Sequence, residues 1–128
     1  MAFVRDHSPP GVSIAAGEYA WDLADLARMA RCVDVLQADV TRCGGITAFI
    51  RADGIARAHG IPLSAHCAPA VSLHACCACE SLLHLEYFHD HTRIESMLFD
   101  GVPSPAAGLL RPDREREGVG IELARAPA

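Results

Sequence analysis

Apolar residues come in short runs along this chain, and between the runs they recur at the spacing of one helix face. The stretch "VSIAAGEY" is a run of β-branched and small residues that reads as a strand. Behind it, Leu23, Leu26, Ala27 and Ala30 in "WDLADLARMARC" fall at helical spacing after Asp22, a side chain suited to cap a helix N-terminus. A second strand, "VDVLQAD", leads into a second helix, "GGITAFIRADGIARAHG", with Ile46, Phe49, Ile50 and Ala56 on one face and Gly60 as its stop. "IPLSAH" and "APAVSLHACCAC" repeat the pair, and "LLHLEYF" adds a fourth strand before a stretch punctuated by proline and glycine. The pattern predicts β-α-β-α-β-α-β over residues 1–100 and a short irregular C-terminal tail over 101–128. One local conflict stands out at "ADG", where Gly54 inside a helix costs about 1 kcal/mol relative to alanine.

Short strands joined by helices are parallel, because a parallel return needs a crossover, and their apolar character predicts cover on both faces. The class is therefore α/β, as an open doubly wound sheet or a β/α barrel. Polar residues separate the two. Glu18, Asp39, His66 and Glu86 each fall at the C-terminal end of a predicted strand, about 20 to 27 residues apart, the length of one β/α unit. In a barrel such side chains converge on one mouth. A carboxylate or imidazole placed there is costly unless it meets a partner.

Composition narrows the partners. The 128 residues, 51% hydrophobic, suffice for one core. The net charge is −5, and the eleven cationic residues are scattered arginines, which argues against nucleic acid. No lysine occurs, so a P-loop or Schiff-base lysine is excluded. The N-terminal "MAFVRDHSPPG" interrupts any signal-peptide core, and no apolar run approaches the roughly 18 residues of a membrane span, so a cytoplasmic protein with no membrane partner is expected. The six cysteines lie mostly inside apolar patterns and read as reduced, buried thiols. A small zinc protein built on Cys76, Cys77, Cys79 and His74 or His84 is a weak alternative, because Cys77 points away from the helix face that Cys76 and Cys79 share. His89 and His91 could share a metal only on extended backbone. Tyr19 and Trp21 could line a pocket beside Glu18, and "RPDREREG" is a solvated charge run.

"AAGEY", "DVLQADVTRCGGIT", "HGIPLSAHCAP" and "HLEYF", in that order and spacing, resemble the C-terminal half of the barrel domain in the mandelate racemase/muconate lactonizing enzyme group of the enolase superfamily. The resemblance runs from about Val4 to Ala126 and implies a parallel β/α half-barrel, the C-terminal part of a TIM-type (β/α)7β barrel. It also implies magnesium-dependent abstraction of the proton α to a carboxylate, as in racemases, dehydratases and cycloisomerases of hydroxy acids or acid sugars. Residue by residue, Glu18 matches a carboxylate ligand of Mg²⁺, His66 the general acid/base, and Asp39 the aspartate that orients it from the neighbouring strand. Glu86 matches the acid that faces the substrate carboxylate, a role that requires a proton to donate.

Each residue also has a structural alternative: a turn aspartate beside Gly44 and Gly45, a hydrogen-bonded histidine, and rim salt bridges for the two glutamates. The family pattern further asks for two more metal carboxylates, a lysine-bearing strand and a capping domain, whereas seventeen residues precede Glu18 here and Asp6 is their one acid. Three readings follow. The chain is an enzyme subunit acting on a small-molecule carboxylate with a separately encoded N-terminal half, an inactive remnant or self-associating half-barrel, or the small zinc protein.

Overall fold

The computed structural model describes residues 1–124; residues 125–128, the end of the expected tail, lie outside it. Strands β1 (Ala15–Ala16), β2 (Val35–Ala38), β3 (Leu63–Ala65) and β4 (Leu82–Leu85) form one sheet in that order, each pair parallel. Helices α2 (Leu23–Ala30), α3 (Gly45–His59) and α4 (Pro69–Cys77) make the crossovers, and no described helix is long and apolar enough to cross a membrane. The predicted order of strands and crossovers is the observed one.

Four short elements go beyond the pattern. A short α1 (Ala2–Asp6) precedes β1, and α5 (His89–Leu98) follows β4. Within the tail, β6 (Glu122–Leu123) returns to pair antiparallel with β5 (Phe99–Asp100). Because "HDH" opens a helix, His89 and His91 do not share a face, and the extended pair considered from the sequence does not form. Only Thr92 and Glu95 of α5 are buried, so its periodicity is faint. Glu95 nonetheless fastens it, accepting a bond from Ala70 N (3.4 Å) at the first turn of α4, where backbone donors lack helical partners.

Alternation along the strands sorts the two sheet faces. Leu36, Ala38, Leu63 and Ala65 pack with Leu26 and Ala30 of α2 and Phe49, Ala52 and Ala56 of α3 in the main core. The opposite face carries Gln37, Ser64 and His84, which the pairing register sets side by side. The Ser64 hydroxyl is buried there without a partner among the described residues. Asp22 caps α2 as predicted, its Oδ1 accepting from Asp25 N at 2.8 Å.

The expected face of α3 is rotated. Ile46 and Ile50 are 38% and 41% exposed, whereas Phe49, Ala52, Asp53 and Ala56 are buried, at the i, i+3, i+4, i+7 spacing of one stripe. Asp53 can be inside because it is fully used: its carboxylate accepts from Glu80 N (3.2 Å), Ser81 N (2.9 Å) and the Ser81 hydroxyl. It thereby pins α3 to the start of β4, while Gly54 beside it is exposed. Replacing Asp53→Ala removes the acceptor of the Glu80 and Ser81 amides and of the Ser81 hydroxyl and is expected to cost about 1–3 kcal/mol of stability. Urea unfolding checks this; an unchanged midpoint would show that the α3 to β4 clamp is idle.

Candidate active site

Each predicted site residue lies just beyond a strand, at the C-terminal end of the sheet. Asp39 follows β2, His66 follows β3, Glu86 follows β4, and Glu18 stands two residues after β1. The register Ala38↔Ala65↔Leu85 carries the next residues, Asp39, His66 and Glu86, into one row. Backbone bonds continue that row, from His66 N to Ala38 O and from Glu86 N to Ala65 O, both 2.9 Å. Gly17 lets β1 join the row. A side chain there would sit 2.3 Å from the Gln37 carbonyl oxygen, and its φ of +131° suits glycine alone.

Three of the four side chains come together. His66 Nδ1 lies 2.9 Å from Asp39 Oδ2. Because a carboxylate only accepts, Nδ1 carries the proton and the lone pair is left on Nε2. That nitrogen faces Cys67 Sγ at 3.2 Å and Glu86 Oε2 at 3.8 Å. Glu86 Oε2 also accepts from Cys67 N (3.1 Å) and Cys67 Sγ (3.2 Å). Glu18 stands apart, its carboxylate folded back onto Gly17 N at 3.0 Å.

Asp39 is 3% exposed and tightly held. Its Oδ1 accepts from Thr41 N (2.7 Å) and the Thr41 hydroxyl (2.6 Å), and Arg42 lies 3.2 Å from Oδ2. Burial by itself would raise its pKa; the bonds from Thr41 and His66 and the charge of Arg42 overcome that and hold it below the ordinary carboxylate range. Asp39 does make the turn contact considered from the sequence, through Thr41, and uses its other oxygen for His66. The Gly44–Gly45 turn forms too, both with positive φ, and leads directly into α3.

Two residues of the site escaped the sequence reading. Arg42 also lies 3.5 Å from His66 Nδ1, donates to the Glu18 carbonyl oxygen (3.4 Å) and stacks over Tyr19 (4.9 Å), tying the end of β1 to β2 and β3. Cys67 was expected only as an inert thiol. It and Ala68 have φ of +46° and +42°, a left-handed turn that costs non-glycine residues roughly 1–2 kcal/mol each. The turn brings both Cys67 donors onto Glu86. Its thiol is pushed up to about 12, by burial first and then by its bond to Glu86 and the nearby carboxylate charges. All six cysteines are free, with Cys77 exposed rather than buried. Cys76, Cys77 and Cys79 form no metal-ligating group with a histidine; among the described residues the one such cluster is His66, Cys67 and Glu86. Tyr19 lines a cleft beside Glu18, as the sequence suggests, whereas Trp21 is 79% exposed. A cleft of about 500 Å³ runs between Glu18 and α2, away from His66 and Glu86.

A row of acid, imidazole and acid at the C-terminal ends of parallel β/α strands defines a segment of a TIM-type barrel that builds its site from strand ends. The chain belongs to the enolase superfamily, in its mandelate racemase/muconate lactonizing enzyme group: the family described as enolase C-terminal domain-like matches residues 1–126. A mandelate racemase/muconate lactonizing enzyme-like protein from Rubrobacter xylanophilus is 66% identical with a TM-score of 0.91, over 95% of this chain and 34% of that one. L-talarate/galactarate dehydratase from Salmonella typhimurium LT2 is 28% identical with a TM-score of 0.78, over 89% of this chain and 28% of that one. An enolase from Bradyrhizobium, complexed with magnesium and mandelic acid, is 26% identical with a TM-score of 0.81, over 95% of this chain and 32% of that one. The chain thus spans about a third of the length of these proteins.

A depressed carboxylate stabilises the fold above its ordinary pKa of about 4 and loses that contribution as pH falls through its lower folded value. Denaturant midpoints should therefore drop for the wild type on acidification below about pH 4, and less steeply for Asp39→Asn, which starts less stable at neutral pH. Parallel acid profiles for the two proteins would contradict the assigned bonds.

Proposed function

We propose that this chain supplies the proton-transfer wall of an enolase-superfamily active site, acting on the carbon α to a carboxylate in a hydroxy acid or acid sugar. The observation that carries the proposal is the Asp39–His66 pair, 2.9 Å apart at the ends of adjacent, in-register parallel strands. His66 Nε2 takes the proton as the C–H bond breaks, and the electron pair moves into the neighbouring carboxylate group. Asp39 holds the resulting imidazolium by charge and hydrogen bond. Protonation of the opposite face by a second acid, supplied by the complementary part of the barrel, racemises the carbon; delivering the His66 proton to a departing β-hydroxyl dehydrates the substrate. Glu86 is proposed to meet the substrate carboxylate from β4. The mandelic acid on the Bradyrhizobium enolase and the dehydratase name of the Salmonella relative support this substrate class.

Glu18 is proposed as one ligand of the magnesium that supplies charge stabilisation in this family. Magnesium prefers near-octahedral oxygen, and the described residues offer it one carboxylate that stands alone, so they do not make its site by themselves. The other ligands, the lysine-bearing strand and the cover over the substrate are proposed to come from a complementary N-terminal half-barrel and a capping domain. Residues 1–100 are proposed as the barrel part and 101–128 as the tail, with β5 at the end of the first paired to β6 in the second. Six unpaired cysteines suit a cytoplasmic setting.

A second reading is a remnant or self-associating half-barrel that turns nothing over. The open edges of β1 and β4, with Leu83 57% exposed, favour it. Proton exchange at the α-carbon, followed by NMR in D₂O with Mg²⁺ and the complementary half-barrel, separates the two. Exchange is expected, falling on the order of 10²- to 10⁴-fold in His66→Ala and Asp39→Asn. Full exchange in His66→Ala would remove the proposed base. A self-paired chain silent under every such supplement would leave the second reading standing.

A further inference from the structure

We propose that His66 Nε2, Cys67 Sγ and Glu86 Oε2 form a three-ligand site for a borderline-soft divalent cation, zinc above all, with a fourth position open to solvent or substrate. The three donor atoms stand 3.2 Å (N to S), 3.2 Å (S to O) and 3.8 Å (N to O) apart. With zinc–ligand bonds of about 2.0–2.3 Å, the edges of a tetrahedral face are roughly 3.3–3.6 Å, so an ion can seat on this triangle with shifts of a few tenths of an ångström. Three protein ligands and one free position is the arrangement of an exchangeable zinc site rather than a closed structural one.

The surroundings fit a metal ligand set. Asp39 holds the other ring nitrogen of His66, fixing the tautomer and aiming Nε2 at the triangle, as an outer carboxylate does for zinc-bound histidine. The left-handed turn at Cys67 and Ala68 sets the sulfur between imidazole and carboxylate. A neutral imidazole, a thiolate and a carboxylate balance a divalent charge, and the thiol proton leaves to solvent when the metal binds. A nitrogen, sulfur and oxygen set suits zinc and rejects magnesium, which demands oxygen. The site is therefore distinct in chemistry from the one proposed at Glu18. Its consequence rests on the proposed role of His66: a cation on Nε2 occupies the lone pair that would take the substrate proton, so zinc acts as an off switch.

Cobalt(II) is the direct probe, because thiolate ligation gives it a charge-transfer band that magnesium-type sites lack. Titrating the reduced, metal-free 128-residue chain with Co²⁺ should give that band and intense four-coordinate visible absorption at one equivalent, and Zn²⁺ should abolish both. Cys67→Ser should remove the band, Cys77→Ser should retain it, and Asp39→Asn should weaken Co²⁺ binding about 10- to 100-fold. Circular dichroism establishes that each variant is folded; if Cys67→Ser is not, Cys67→Ala replaces it. A band that survives loss of the Cys67 thiol, or none in the folded wild type, overturns the site. Neither result touches the proton-transfer role of His66, which α-proton exchange reads separately.

Discussion

The hydrogen bond between Asp39 and His66 is possible only because two parallel strands end in register. β2 and β3 pair Ala38 with Ala65, so the next residue on each strand leaves the ladder at the same height and on the same face. A slip of one residue would turn one of the two side chains into the helix layer. The register is in turn locked by the opposite face, where Leu36, Ala38, Leu63 and Ala65 must meet α2 and α3. Apolar burial on one side of the sheet thus positions polar chemistry on the other.

Holding the pair has local costs, and the structure offsets each nearby. A carboxylate as enclosed as Asp39 is unfavourable without donors, and Thr41, His66 and Arg42 supply them. The left-handed backbone at Cys67 and Ala68 is compensated by two bonds to Glu86 and by the docking of α4 under Glu95. Asp53 plays the same part on the other side of β4, exchanging burial of its charge for three donors. The buried carboxylates Asp39, Asp53 and Glu95 join elements distant in sequence.

That distance explains which features were legible in the sequence. Strands and crossovers were, since each apolar run ends in one polar residue and Asp22 caps α2 by a contact three residues long. So were Asp39, His66 and Glu86, whose positions follow from strand ends. The buried face of α3 was not, because Ile46 and Ile50 promise burial by composition while Asp53 achieves it through Ser81, 28 residues onward. Arg42 carries no periodic signal in a loop, and nothing in "HCAP" announces that cysteine and alanine will take backbone angles usual for glycine. Cys76, Cys77 and Cys79 draw the eye to zinc by their spacing, but α4 ends at Cys77 and the cluster of His66, Cys67 and Glu86 lies at its other end.

The central claim is that Asp39 sets His66 with its proton on Nδ1 and its lone pair on Nε2. The most direct test is the tautomer of the His66 ring, read from the ¹⁵N shifts of the imidazole in the wild type and in Asp39→Asn at neutral pH. A ring protonated at Nδ1 in the wild type, losing that preference in the variant, is the predicted result. A proton on Nε2 in the wild type, or a tautomer indifferent to Asp39→Asn, would contradict the account.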